Sequence, residues 1–384
     1  MPELQCAITP AFFRPCKIIM ITQHRIYFRN ARQMDALKRQ SVDLVITSPP
    51  YPMIEMWDAL FSGQNATIDR ALNNSDGRMA FELMHRELDP IWREVWRILK
   101  PGGIACINAG DAARSLNGQF SLYPNHARML SQLLKLGFQS LPVILWRKQT
   151  NAPNKFMGSG MLPPGAYVTL EHEYILVMRK GSKREFNTET ERQNRRASAF
   201  FWEERNQWFS DVWMDIKGAA QHLGMRTARR RSAAYPFEVP YRLINMFSVK
   251  GDVVVDPFLG MGTTMWAAAA ATRNCVGFEI ETGLRSEIQT AINQLVPYAN
   301  ARIHQRLEAH INYVAQIKRS KQQFKYTNRH YRFPVKTRQE TDIFINPLVS
   351  LQPAGSDAFE VMYSTESAQL MQATPRPPKP QKTP

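Results

Sequence analysis

Cysteine is scarce in this chain. Cys6, Cys16, Cys106 and Cys275 form no CxxC pair and have no histidine cluster nearby, which argues against a zinc site and a disulfide framework and suits a reducing cytoplasm. No metal is expected. No apolar run approaches the roughly 18 residues needed to cross a bilayer, and the N-terminus lacks a basic region followed by a long hydrophobic stretch, so neither membrane insertion nor secretion is expected. GxxxxGK and GxGxxG are both missing, which weakens P-loop and dinucleotide readings. Acidic residues are short as well: 33 Asp and Glu against 49 Lys and Arg leave a net charge of +16 over 384 residues. That surplus draws polyanions such as nucleic acid or an anionic membrane, but names no activity. With 44% hydrophobic and 21% charged residues the chain has the composition of a folded protein, long enough to bury a sizeable core.

Helices and short buried strands alternate along most of the chain. The run Val42-Asp43-Leu44-Val45-Ile46 is a strand stopped by the prolines of Thr47-Ser48-Pro49-Pro50-Tyr51. A helical pattern through Ile91, Val95 and Ile98 ends at Lys100-Pro101-Gly102-Gly103 and gives way to a strand at 104–107. A helix near 130–136 and strands at 143–146 and 174–178 follow, and the same alternation resumes with a helix at 240–247, strands at 253–255 and 275–278, and a helix between them. This order predicts an α/β fold with a mainly parallel sheet. Between 180 and 232 the texture changes: Phe200, Phe201, Trp202, Trp208 and Trp213 are interleaved with arginines, as in an inserted module, with Phe200, Trp202 and Trp213 expected in its core. Residues 301–350 read as a basic extension, with ten Lys or Arg and only Glu308 as an acid between 301 and 338, and residues 351–384 as a disordered tail.

Two segments carry chemistry. Asp256-Pro257-Phe258-Leu259-Gly260-Met261-Gly262-Thr263-Thr264 follows a buried strand and opens a helix, where glycines admit a ligand to the backbone and the helix N-terminus offers free N–H groups. Glu279, ending the next strand, is placed to hold ribose hydroxyls. A tight strand-to-helix turn would need only part of this pattern. Ser48-Pro49-Pro50-Tyr51 ends another strand, on the carboxyl edge where α/β sheets bind ligands. Its prolines leave carbonyls free to accept hydrogen bonds, and Tyr51 offers a stacking face for a base, although a plain polyproline turn would read the same in isolation.

Together, TSPPY upstream and DPFxGxGTT downstream resemble the amino-methyltransferases of DNA in the permuted order called the beta class. Leu99 to Gly103, Asn108-Ala109-Gly110-Asp111, Trp146-Arg147-Lys148, Glu171 to Val177, and Tyr235-Pro236-Phe237 with Pro240 resemble that family's other motifs, covering about residues 25–290. The resemblance implies a Rossmann-like methyltransferase fold with a seven-stranded sheet, split into a catalytic half (1–179), a target-recognition insertion (180–232) and a cofactor half (233–300). It implies S-adenosyl-L-methionine held by Asn30, Pro236, Phe237, Asp256, Phe258, Gly260, Gly262, Thr263 and Glu279, and a flipped base at Ser48, Pro49, Pro50 and Tyr51. Asn30 stands where the family commonly has an acid that contacts the adenine. Ser at the first motif position favours cytosine N4 over adenine N6. Double-stranded DNA is then the partner, with Arg195, Arg196, Arg229, Arg230 and Arg231 as phosphate contacts, a cognate restriction endonuclease as a genetic rather than physical partner, and a nucleoid-associated location. An adenine-N6 DNA methyltransferase is the first alternative, followed by an RNA methyltransferase and, from another class, a catalytically inert nucleic-acid-binding protein.

Overall fold

A computed structural model describes residues 18–148, 157–218, 235–320 and 323–366. Eleven strands form one sheet: β1 (Ile18–Tyr27), β2 (Val42–Thr47), β3 (Leu99–Ala109), β4 (Gln139–Ser140), β5 (Ile144–Arg147), β6 (His172–Arg179), β7 (Val212–Trp213), β8 (Val253–Asp256), β9 (Asn274–Phe278), β10 (Leu348–Pro353) and β11 (Ala358–Ser364). Their order is β7-β5-β6-β3-β2-β8-β9-β1-β11-β10, with β4 beside β6. Strands β3, β2, β8, β9 and β1 are mutually parallel, while β6 runs antiparallel between β3 and β5. The seven strands from β5 to β1 are the expected sheet, and β7 and the β10–β11 hairpin widen it at its two ends.

Residues alternate across the sheet, so two cores form, one on each face. Leu44, Ile46, Val254 and Cys275 face helices α7 (Glu238–Phe247), α8 (Thr263–Ala270) and α10 (Leu295–Arg319). Val45, Ile107, Val255 and Phe278 face α3 (Gly77–Ile98) and α4 (Asn125–Lys135). Helices α1 (Asp58–Gln64) and α2 (Ala66–Asn73) cover α3, and α9 (Arg285–Ile292) precedes α10.

The expectations for the tail and for Trp202 change, and two segments gain a place. Residues 351–366 are not a disordered tail: β11 alternates Phe359, Val361 and Tyr363 into the core and pairs with β1 along its length, and that period-two burial offsets the entropy of ordering the segment. Residues 367–384, the rest of that expectation, lie outside the described residues. The basic extension packs through α10, which buries Leu295, Ala299, Ile303 and Leu307, and two of its arginines are used internally: Arg302 pairs with Glu238 at 2.9 Å and Arg306 with Glu204 at 2.5 Å, while Arg319, Arg329, Arg332 and Arg338 are exposed. The segment at 180–200 begins on the amino edge of the sheet, where Lys180 Nζ donates to the Leu99 carbonyl at 2.7 Å and Arg184 to the Asp252 carboxylate at 2.7 Å. Helix α5 (Glu189–Ala197) follows it there, with Asn194 donating to the Lys250 carbonyl at 2.9 Å. Phe201, Trp208 and Trp213 are buried, the last two flanking Arg306 and Arg242 respectively, whereas Trp202, expected in the core, is 39% exposed at the start of its helix.

The hairpin gives a test. Tyr363 is fully buried and its hydroxyl is 2.8 Å from both Thr22 Oγ1 and the Ala269 carbonyl. Tyr363→Ala should therefore lower the unfolding free energy by about 3–5 kcal/mol in urea titration, whereas a dispensable tail would leave the midpoint unmoved.

Candidate active site

Strands β2, β8 and β9 end on the same edge, and the two motifs of the sequence meet there. Asp256 joins them. Its Oδ1 accepts from Thr47 Oγ1 at 2.6 Å and from the Phe258 N–H at 3.0 Å, and its Oδ2 from Thr264 Oγ1 at 2.5 Å and the Tyr235 hydroxyl at 3.4 Å. Burial pushes this carboxyl above its ordinary pKa, against the pull of those donors. Asp256, named among the candidate cofactor contacts, has both oxygens engaged by protein donors and so ties the glycine loop to β2. Tyr235 also lies 2.5 Å from Thr264 Oγ1, which brings Pro236 and Phe237 to this edge, and Phe237 stacks on Tyr241 at 5.3 Å.

The loop after β8 turns through Gly260 (φ 54°) and Gly262 (φ 88°), a left-handed pair that opens α8 at Thr263. A Cβ on Gly260 would meet nothing within 4 Å, so the loop borders open space. Glu279 lies across it: Oε2 accepts the Gly260 N–H at 2.8 Å and Oε1 the Glu281 N–H at 2.7 Å. Burial raises its carboxyl above the usual glutamate range. Phe258 packs near Trp92, with ring centroids 6.1 Å apart. Asn30 follows β1, whose last residue, Tyr27, accepts the Glu279 N–H at 3.0 Å. Its Oδ1 accepts from the Arg32 N–H at 2.9 Å, leaving one lone pair for another donor.

At the end of β2, Tyr51 is only 8% exposed and its hydroxyl sits in a polar ring. It donates to Glu173 Oε2 at 3.1 Å, accepts from Asn108 Nδ2 at 2.8 Å, and lies 2.8 Å from Ser48 Oγ. Asn108 Nδ2 also donates to Glu173 Oε2 at 2.5 Å, and Lys148 Nζ neutralises Glu173 from 3.0 Å. A carboxylate only accepts, so the Tyr51 proton points to Glu173 and the Ser48 proton to Tyr51. Ser48 Oγ is thereby left with its lone pairs free. Burial, and then the Glu173 charge, hold the Tyr51 phenol well above its ordinary pKa, so it stays neutral. The ring stands against Gly110, where a Cβ would lie 2.6 Å from Tyr51 Cε2. Asn125 fixes that approach by donating to the carbonyls of Pro52 at 3.0 Å and Gly110 at 2.9 Å.

Thus Ser48 to Tyr51, Phe258 to Thr263 and Glu279 share one edge with Asn30 and Pro236-Phe237. Arg195 and Arg196 do not join them: α5 carries both at the amino edge, across a six-residue strand of about 20 Å. Arg195 covers the Phe186 ring at 4.7 Å, and Arg196 pairs with Glu189 at 2.5 Å and Asp342 at 3.5 Å; both arginines lie on the exposed face of α5, away from the Ser48 edge. Arg229, Arg230 and Arg231 lie outside the described residues. Asn108, Lys148, Glu173 and Tyr235 stood inside quoted motifs without a role of their own.

A parallel sheet with a glycine loop and a buried acid at two strand ends, beside a buried tyrosine at a third, has the arrangement by which α/β enzymes bind ligands at the carboxyl edge. Comparison with known proteins narrows this. Residues 42–290 match the model of the DNA methylase family. The chain is 50% identical over 345 residues to the Type II methyltransferase M.MthZI of Methanothermobacter thermautotrophicus, covering 90% of this chain and 96% of that one. It is 48% identical over 286 residues to M.MjaI of Methanocaldococcus jannaschii, covering 72% and 93%. Among solved structures, the TTHA0409 protein of Thermus thermophilus in complex with S-adenosyl-L-methionine superposes with a TM-score of 0.55 at 33% identity, covering 71% of this chain and 96% of that one. The chain belongs to the DNA methylase family of S-adenosyl-L-methionine-dependent amino-methyltransferases.

Gly110→Ala should displace Tyr51 while leaving the Gly260 loop untouched. Methyl transfer to DNA should drop by up to about 100-fold, with cofactor affinity by calorimetry and the melting temperature nearly unchanged.

Proposed function

We propose that this chain is a site-specific DNA methyltransferase acting on N4 of a cytosine flipped out of duplex DNA, as the modifying partner of a restriction endonuclease encoded with it. The observation that carries the reading is Ser48, a neutral hydroxyl whose proton is committed to Tyr51 and whose lone pairs are free. Residues around the loop fit the cofactor: open space beside Gly260, N–H groups at the start of α8, and Glu279 held by two backbone donors. Phe258, Gly260, Gly262 and Thr263 would line it, Glu279 would take the ribose hydroxyls, Asn30 would meet the adenine, and Pro236-Phe237 would flank the methionine end. When bound, S-adenosyl-L-methionine supplies a methyl group on a sulfonium, already an excellent leaving group.

The protein's own work is to present the amino nitrogen. Its lone pair is conjugated into the ring, and acceptors at Ser48 Oγ and the Pro49 carbonyl for its two protons favour a pyramidal nitrogen as positive charge develops. Pro50 keeps the strand end rigid and removes an N–H that would compete for those acceptors. Tyr51 supports this with its ring as a stacking face and its hydroxyl as the link that aligns Ser48. No covalent nucleophile is needed, and proximity supplies most of the rate. Arg229, Arg230 and Arg231 remain the candidate phosphate contacts.

DNA from a host expressing the protein, digested to nucleosides and resolved by mass, should contain N4-methylcytosine. N6-methyladenine would move the target base, and no methylated nucleoside would favour an inert binding protein. Separately, Glu279→Ala should weaken cofactor binding by roughly 10–100-fold in calorimetry; unchanged affinity would remove Glu279 from the cofactor site.

A further inference from the structure

Between β5 and β6 the chain leaves the sheet and returns beside the catalytic ring. The Lys148 N–H donates to the Glu171 carbonyl at 2.8 Å and Arg147 pairs with the Glu171 carboxylate at 2.9 Å, closing the base of this excursion. Two residues on, Glu173 holds the Tyr51 hydroxyl, so the excursion is rooted beside the candidate active site.

Its described part is a tight hairpin pairing Met157–Gly158 with Ala166–Tyr167. The Ser159 N–H donates to the Gly165 carbonyl at 2.9 Å, and Tyr167 stacks on Phe120 of the neighbouring hairpin with centroids 4.6 Å apart. A Cβ on Gly158 (φ 68°) would lie 2.1 Å from the Gly165 carbonyl oxygen, so the strands close only with glycine there. The turn between them presents Met161 and Leu162, 83% and 71% exposed, and Val168 just beyond is 87% exposed. These are the three most exposed large hydrophobic side chains among the described residues. Residues 149–170 contain no Asp or Glu, so nothing in this stretch repels phosphates.

We propose that this hairpin enters the duplex at the target base pair and that Met161 and Leu162 fill the gap left by the extruded base. The inference rests on the reading of the chain as an enzyme acting on a flipped base. Extrusion exposes the apolar faces of the flanking bases, and a rigid hairpin with two apolar side chains at its tip covers them only in the flipped state, shifting the equilibrium towards it. The root of the hairpin beside Tyr51 and the absence of acidic residues from 149–170 favour DNA over a second copy of the chain, because both suit a segment that meets a polyanion at the reaction site.

The test compares methyl transfer from tritiated S-adenosyl-L-methionine to two synthetic duplexes carrying the sequence found methylated in host DNA. One is fully paired, and the other has an abasic site opposite the target base. Met161→Ser with Leu162→Ser should slow transfer to the paired duplex by about tenfold and to the abasic duplex by less than about twofold, with melting temperature and cofactor affinity preserved. Met161→Leu with Leu162→Met, which keeps the apolar volume, should retain the native rate on both. An unchanged rate on the paired duplex, an equal loss on both duplexes, or an altered sedimentation coefficient in the serine variant would overturn the proposal. Failure of the unsubstituted enzyme to methylate any DNA would instead sink the methyltransferase reading, and the wedge with it.

Discussion

The site depends on one buried carboxylate. Asp256 is 2% exposed and ties Thr47, which directly precedes the catalytic segment, to Phe258 and Thr264 in the glycine loop, across 209 residues of sequence in the case of Thr47. Such a group is stable in the interior only while its oxygens are fully satisfied. Its donors come from β2, the loop after β8, α8 and the 235–237 segment, so satisfying it fixes the register of all four. The cofactor loop and the Ser48 loop are thus placed relative to each other by one residue that neither ligand needs to touch.

A second network decides what the site can do. Glu173 is a fixed acceptor, paired with Lys148, and orients Asn108 and Tyr51 so that Ser48 is left as an acceptor. The phenol cannot ionise near neutral pH, being buried next to that carboxylate. Under the function proposed above, chemistry at this edge relies on neutral hydrogen-bond acceptors and close positioning, which suits a cofactor that already carries its own leaving group.

The chain's basic excess is only partly a surface property. Arg242 is buried between Asp215 and Glu238, Arg302 and Arg306 bind α10 to neighbouring elements, and Arg184 closes the amino edge on Asp252. Breaking one such buried pair would leave the other charge uncompensated, so these arginines serve the fold first. The C-terminal extension belongs to the same scaffold, with α10 covering one face of the sheet and β11 completing its edge against β1.

Local pattern was enough to show the alternating α/β order, the two strand-end motifs, the acid ending β9 and the family resemblance, because each is written in consecutive residues: prolines stop β2, glycines open α8, and apolar runs mark the central strands. The β10–β11 hairpin was hidden by its polar flanks and a proline-rich neighbour, since its alternation of Phe359, Val361 and Tyr363 gains meaning only against β1, more than 300 residues away. Strand direction was equally invisible. Only because β6 runs antiparallel does its beginning, rather than its end, reach the catalytic edge and deliver Glu173 to Tyr51. The arginines of α5 were misplaced for the corresponding reason: a sequence records that they are basic, but which edge of the sheet they occupy follows from where β6 ends, at the amino edge with Lys180 and Arg184. Sequence by itself determined which groups the chain possesses, and the tertiary structure alone decided which of them meet, because strand order and direction are set by long-range pairing and not by neighbouring residues.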